Sequence, residues 1–364
     1  MAKRRFKEVF ISSADPFERG FQHGSQIRDL VLRICEGYKK SFARKGFTWD
    51  EAQMLALKYV PGLDAQMPDL MQEARGIAAG ADVTLGVVMV LNARYELLKL
   101  KKSADAPHVA PAEASDAECT CFALLPEATA DGHALSGQNW DKDKFVEDDL
   151  YVLHIDEKNG TRIVGLSEPA QLIRNGMNTH GLSLNCSTLL SVLDGPGLAA
   201  PTNFVRRRLL SCRSFEEATR LVREFHPDIA LNYLIASKDG EAIVFETTPR
   251  ENFFIEPTRG VLTKANDMVC DPTLDRFIPA SKGHHRHFRA QRLNELFKKR
   301  RGHIDIGYVQ ECLRDHYGDT ESVCNHCEAE GLKTIASMIY DLTEGRVLMA
   351  WGNPCENEYE EYIL

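Results

Sequence analysis

The chain lacks any apolar run long enough to cross a bilayer. Within its 364 residues no stretch of about 18 consecutive apolar positions occurs. No apolar stretch of signal-peptide length follows the basic opening MAKRRFKEVF either, so the expected location is the cytoplasm. Positive charge is in deficit, with 44 Lys and Arg against 53 Asp and Glu and a net charge of −9. Nucleic acid and anionic membrane both attract basic surfaces, so neither is expected as a partner. There is no internal repeat. The 10 cysteines are scattered and do not form a disulfide framework. Without a secretion signal they read mainly as reduced thiols, most of them in the core. Hydrophobic residues at 43% and charged residues at 27% are ordinary for a globular protein. The length fits one large domain or two smaller ones, with a core that needs no staple.

The first hundred residues read as helical. Asp15-Pro16-Phe17-Glu18 is a helix start, and Phe21, Ile27, Leu30, Val31, Ile34 and Tyr38 recur at helical spacing up to about Gly46. Gly20 and Gly24 weaken its early turns. Asp50 is expected to cap a second helix that stops at Pro61-Gly62. Pro68 opens a third, and Thr84 caps a fourth running through Leu98.

Residues 101–118, KKSADAPHVAPAEASDAE, hold almost nothing to bury and read as a solvated linker. After it the pattern turns to β. Hairpins are expected around 119–141, and about Asn159-Gly160, Asp239-Gly240 and Glu344-Gly345. Several strands are apolar at consecutive positions, which suits sheets covered on both faces. Helices are expected at 203–213, 214–225, 286–300 and 306–316. Strands in hairpins with helices in blocks suggest two antiparallel sheets between helical layers.

Cys119 stands where the linker ends and the first strand begins. A thiol there can attack the preceding carbonyl of Glu118, and water then releases a new N-terminus. The product carries a free α-amine beside its own thiol. With a reference pKa of about 7.7–8.0, that amine can take the thiol proton near neutral pH. No separate histidine is then required. A cysteine opening a strand is by itself more often structural.

The segment ECTCFALLP followed by GQNWD at 137–141 resembles the penicillin acyltransferase family. These are acyl-coenzyme A:6-aminopenicillanate acyltransferases and their relatives, cysteine N-terminal-nucleophile enzymes. Four other segments are similar to family segments in the same order: PFERGFQHGSQI (16–27), residues 71–97, GMNTHGLSLN (176–185) and HFRAQRLNELF (287–297). SVCNH (322–326) follows them. The resemblance implies an α+β fold, the four-layer αββα sandwich. It also implies an α chain of residues 1–118 and a β chain of 119–364 that remain associated as one domain. Homo-oligomers are possible.

On the same resemblance, Cys119 is the processing and acylated nucleophile, and Asp141 holds its free amine by a charge-assisted hydrogen bond. Asn266, in TKAND, falls where its amide could donate to the oxyanion. Thr120, Cys121 and Trp140 are assigned to the substrate side, with Trp140 chiefly a packing residue. Cys121 shares a strand face with Cys119 and either takes part in processing or packs. His23 reads as structural. The substrate class implied is a small acyl amide or acyl-CoA thioester, with no cofactor.

The sequence also departs from the family. Glu118 replaces the usual glycine before the nucleophile, which removes backbone freedom at the scissile bond. TKAND has Lys264 and Asp267 where the family has histidines. Two other readings compete. One is a non-catalytic, unprocessed relative acting as a binding module. The other is a metal site at Cys324-x-x-Cys327, near His316 and His326, with His284, His285 and His287 in GHHRH. No second Cys-x-x-Cys follows, so no metal is expected.

Overall fold

The computed structural model describes residues 5–99, 117–276, 285–318, 322–326 and 332–364. Most of the 101–118 linker, His284 and Cys327 lie outside them, as do the side chains of His285 and His287.

Asp15 caps α1 (Pro16–Arg44), its carboxylate accepting the Glu18 N–H at 3.0 Å. The helix continues through Gly20 and Gly24 because α4 (Pro68–Ala81) crosses it backbone to backbone. A Cβ at Gly20 would stand 1.9 Å from the Glu73 carbonyl oxygen, and one at Gly76 would stand 2.0 Å from that of Phe17. The close packing of the two helix backbones offsets the helix propensity lost at these glycines. Thr48, rather than Asp50, caps α2 (Trp49–Leu57) in a capping box with Glu51. Pro61 does not simply stop that helix. It sits in the first turn of α3 (Val60–Gln66), where a missing N–H costs nothing. Thr84 caps α5 (Leu85–Asn92), and α6 (Arg94–Lys99) follows a break at Ala93.

The first hundred residues are not all helical. Lys7–Ser12 form β1, with Val9 and Ile11 buried and polar or exposed positions between them. This alternation is too short to stand out in sequence. β1 pairs in parallel with β4 (Tyr151–Asp156).

The four expected hairpins form. They are β2 (Ala117–Leu124) with β3 (Leu135–Asp143), β4 with β5 (Arg162–Ser167), β8 (Leu231–Ser237) with β9 (Ala242–Thr247), and β12 (Leu332–Asp341) with β13 (Arg346–Trp351). Between and beyond them lie β6 (Asn175–Asn178), β7 (Leu182–Thr188), β10 (Asn252–Ile255), β11 (Val261–Lys264) and β14 (Glu360–Ile363). An eight-stranded sheet runs β1-β4-β5-β6-β7-β8-β9-β10, and a six-stranded sheet runs β11-β2-β3-β12-β13-β14.

The sheets face each other, β2 against β7, with Ser136 and Ser183 hydroxyls 2.6 Å apart across the gap. α1, α7 (Thr202–Leu210) and α8 (Phe215–Glu224) contact the larger sheet. α9 (His285–Lys299) contacts β11 and β2 of the smaller sheet, and α10 (Ile306–Leu313) packs on α9. Strand period sorts β2 between two cores. Cys119, Cys121 and Ala123 face the space between sheets, while Phe122 and Leu124 face the α9 layer.

Candidate active site

Cys119 is fully buried, opposite Trp140 in the β2–β3 ladder. The strand continues back through Glu118, so the bond proposed for cleavage lies within a paired strand, with Asp141 opposite Glu118. On the other edge, β11 pairs Lys264 with Cys121 and then ends. Two positions further on, the Asn266 side chain takes over the ladder: its Oδ1 accepts the Cys119 N–H at 2.7 Å. Its Nδ2 donates to the Thr188 carbonyl at 2.8 Å. Asn266 therefore turns an acceptor, not the expected donor, toward the nucleophile in this uncleaved chain. Arg289 on α9 also donates to Oδ1, at 3.1 Å. Lys264, where the family carries histidine, is buried and paired with Glu246 at 3.3 Å, and it donates to the carbonyls of Ala265 and Asp267. It braces the turn that presents Asn266.

The thiol has a cation beside it. Arg174, just before β6, brings Nη2 to 3.8 Å from Cys119 Sγ. Its guanidinium carbon lies 3.6 Å from the centre of the Trp140 ring, and Nη1 donates to the Tyr95 hydroxyl at 2.8 Å. Burial pushes the Cys119 thiol up to about 12, and the Arg174 charge is the largest influence opposing it. Trp140 is thus both packing and the platform that holds Arg174.

Among the other expected site residues, Asp141 stays close enough for its charge to act on the Cys119 thiol. Asp141 Oδ1 accepts from the Thr334 hydroxyl at 2.6 Å, and Thr334 lies on β12. Thr120 points to the helical layer, where its hydroxyl accepts from Arg289 Nε at 3.2 Å, so it does not line the thiol side. Cys121 is buried between the sheets, its thiol pushed well above the ordinary range by burial and by the neighbouring Cys119. His23 is buried against Tyr151, at 2.7 Å, away from these residues.

Arg174 and Arg289 were not singled out as site residues from sequence. For Arg174 the available signal is an arginine between Ile173 and Asn175, entering a strand buried throughout. Such a charge needs a specific reason to be there.

A helical layer, two facing sheets and a second helical layer are the layering of N-terminal-nucleophile hydrolases, and this chain has that fold. It belongs to the acyl-coenzyme A:6-aminopenicillanic acid acyl-transferase family, whose pattern matches residues 128–356. It is similar to the acyl-coenzyme A:6-aminopenicillanic-acid-acyltransferase 40 kDa form of Emericella nidulans, 24% identical over 285 residues, covering 76% of this chain and 74% of that one. Solved structures similar to it include a variant of conjugated bile acid hydrolase from Clostridium perfringens (17% identity, 68% of this chain and 97% of that one, TM-score 0.45). The Caenorhabditis elegans ortholog of N-acylethanolamine-hydrolyzing acid amidase is another (15%, 62% and 93%, TM-score 0.47). The family to which the chain belongs is one of acyl-transferring enzymes. No described helix is long and apolar enough to cross a membrane.

Proposed function

We propose that the chain cuts itself between Glu118 and Cys119 and then works through an acyl-Cys119 intermediate. In processing, Sγ attacks the Glu118 carbonyl carbon and the peptide C–N bond breaks. The Cys119 nitrogen gains the proton, and a thioester links residue 118 to the thiol. Water hydrolyses that thioester, leaving the Glu118 carboxylate, a free thiol and an α-amine. In turnover the α-amine takes the thiol proton and the thiolate attacks the acyl carbonyl. The leaving amine or thiol departs with a proton, and water or a second amine takes the acyl group.

The observation that carries this reading is the position of the 118–119 bond. It lies opposite Asp141, Asn266 holds its nitrogen, and the Arg174 guanidinium stands beside the Cys119 sulfur that attacks it. Asp141 is placed to hold the α-amine once residue 118 leaves. Arg174 favours the thiolate, and Asn266 positions the nitrogen. Glu118, lacking the freedom of glycine, makes processing slow.

Residues 1–118 and 119–364 stay together as α and β chains of one sandwich. The substrate is a small N-acyl amine or an acyl-CoA-type thioester; of these the family's description names the acyl-coenzyme A.

The test is the intact mass of the purified protein beside Cys119→Ala. Cleavage divides 40.9 kDa into pieces of about 13 and about 28 kDa, in proportion to 118 and 246 of the 364 residues. Two pieces in the wild type and one in the variant support the reading. A wild type that stays whole, and whose Cys119 takes no acyl group from a panel of acyl thioesters, is instead an unprocessed relative that binds without catalysis.

A further inference from the structure

We infer that His316, Cys324, His326 and Cys355 form a closed, four-ligand structural zinc site. The four come from three separate places in the fold. His316 follows α10, Cys324 and His326 lie on the 322–326 segment, and Cys355 lies in the turn after β13. Their ligand atoms all lie within 4.8 Å of one another. His326 Nε2 is 3.2 Å from His316 Nε2, 3.6 Å from Cys324 Sγ and 3.1 Å from Cys355 Sγ, and the two sulfurs are 3.6 Å apart.

Hydrogen bonding does not account for this convergence. A neutral imidazole nitrogen has either one proton or one lone pair, so it can serve one of those three neighbours, not all of them. A metal at the centre serves all four. Zinc–sulfur bonds of about 2.3 Å and zinc–nitrogen bonds of about 2.0–2.1 Å give a tetrahedron with edges of roughly 3.3–3.8 Å. The two 3.6 Å separations fall in that range, those of 3.1 and 3.2 Å lie just below it, and His316 Nε2 is within 4.8 Å of both sulfurs. Two thiolates and two imidazoles are a common structural-zinc donor set, and with four protein ligands no open position remains for chemistry.

The surroundings are those of a metal ligand set. Asn353 Nδ2 lies 3.5 Å from Cys324 Sγ, as a donor to a thiolate would, and also donates to the Asn325 carbonyl at 2.8 Å. Glu356 Oε1 stands 3.8 Å from His326 Nδ1, the ring nitrogen turned away from the cluster. At that distance Glu356 is a neighbouring charge on the side of the ring opposite the cluster rather than a hydrogen-bond partner. The Cys324 N–H donates to the Asp315 carbonyl at 3.0 Å, tying the segment to the residue before His316. Sequence alone pointed to Cys324-x-x-Cys327. The fold supplies Cys355 as the second sulfur, from 31 positions away.

The site also bears on Asp141. Between its two ligands on the 322–326 segment, Asn325 exchanges hydrogen bonds of 2.9 Å with Thr334, its N–H to Oγ1 and its carbonyl from the N–H. The Thr334 hydroxyl in turn donates to Asp141. The zinc assignment itself is independent of Cys119 being a nucleophile.

The experiment is elemental analysis of the full chain, purified without a histidine tag and dialysed against metal-free buffer, beside Cys355→Ser and His316→Ala. We expect near-stoichiometric zinc in the wild type and its loss in both variants. Wild type stripped with a chelator and titrated with Co(II) should show the thiolate-to-cobalt charge-transfer and tetrahedral ligand-field bands. This readout needs no variant to fold. Sub-stoichiometric zinc unchanged in the variants, or no thiolate–cobalt band, overturns the assignment. So does a wild type without metal whose unreduced mass has lost the two thiol hydrogens to a Cys324–Cys355 disulfide.

Discussion

Asn266 accepts the backbone N–H of Cys119 at the ladder position where β11 would have continued. A side chain here does the work of a strand, so the nitrogen is held while the peptide on that edge stays uncovered by backbone. Asn266→Ala leaves a buried N–H unpaired, at a cost of about 1–3 kcal/mol. The expected result is a lower melting temperature and self-cleavage slower by about one to two orders of magnitude. Asn266→Asp, which keeps an acceptor, should lose less. Cleavage of the Ala variant at the wild-type rate, followed by intact mass over time, would remove Asn266 from the reading.

Arg174 and the Cys119 thiol make the second prediction. Burial raises the thiol and the guanidinium at 3.8 Å opposes that. Removing the charge with Arg174→Met therefore moves the thiol further up, and each unit lowers the thiolate fraction at neutral pH about tenfold. In the pH profile of Cys119 alkylation by iodoacetamide, the variant should shift to higher pH, with Arg174→Lys in between. Superimposable profiles would show that the charge is not felt at sulfur.

Much of this arrangement could be read in the sequence, for reasons tied to particular residues. Hairpin turns are written locally, and glycines at 160, 240 and 345 with positive φ mark three of them. The layering followed from hairpins and helices in separate blocks, and the expectation for Cys119 rests on a collinear set of segments rather than on any single pattern. Neither Arg174 nor Cys355 could be found that way, because their roles exist only once distant strands are brought together. β1 was hidden by its shortness. The orientation of Asn266 was also out of reach, since which end of an amide faces a neighbour depends on what else it touches. Here that is the Thr188 carbonyl.

His23 predicts a pH effect on stability. Burial lowers its pKa from the ordinary 6.5 to about 4, with Glu73 opposing and Arg207 reinforcing the shift. The Tyr151 hydroxyl donates to the Glu168 carbonyl, so its oxygen accepts from His23 Nε2–H, and the buried Nδ1 has no hydrogen-bond partner among the described residues. The unfolded chain takes up the proton first as pH falls, so stability is lost from about pH 6.5 down to about pH 4 and levels off below. The full loss is about 3 kcal/mol. Urea midpoints measured across that window should fall for the wild type and flatten for His23→Gln, which keeps a donor for Tyr151. Equal slopes in the two proteins would mean that other groups carry the acid sensitivity.

A buried ion network is expected to hold the two proposed chains together after cleavage. Glu73 lies on the N-terminal side and is fully buried between two guanidinium groups. Arg19 is at 3.0 Å, and Arg207 at 3.0 Å comes from the C-terminal side. Arg207 also reaches Glu157 at 2.7 Å, and Arg94 pairs with Glu168 across the same divide. The Glu73 pairs sit beside the α1–α4 crossing, and separating the chains would strip several buried charges of their partners. Removing one partner of such a group costs about 3–5 kcal/mol, because the remaining charge stays buried and uncompensated. Glu73→Ala should therefore lower the melting temperature sharply. In processed protein it should also let the about 13 kDa piece elute apart from the about 28 kDa piece on gel filtration in mild urea. The wild-type pieces should co-elute under the same conditions. Wild-type pieces that separate without denaturant would show that this network does not hold the sandwich together.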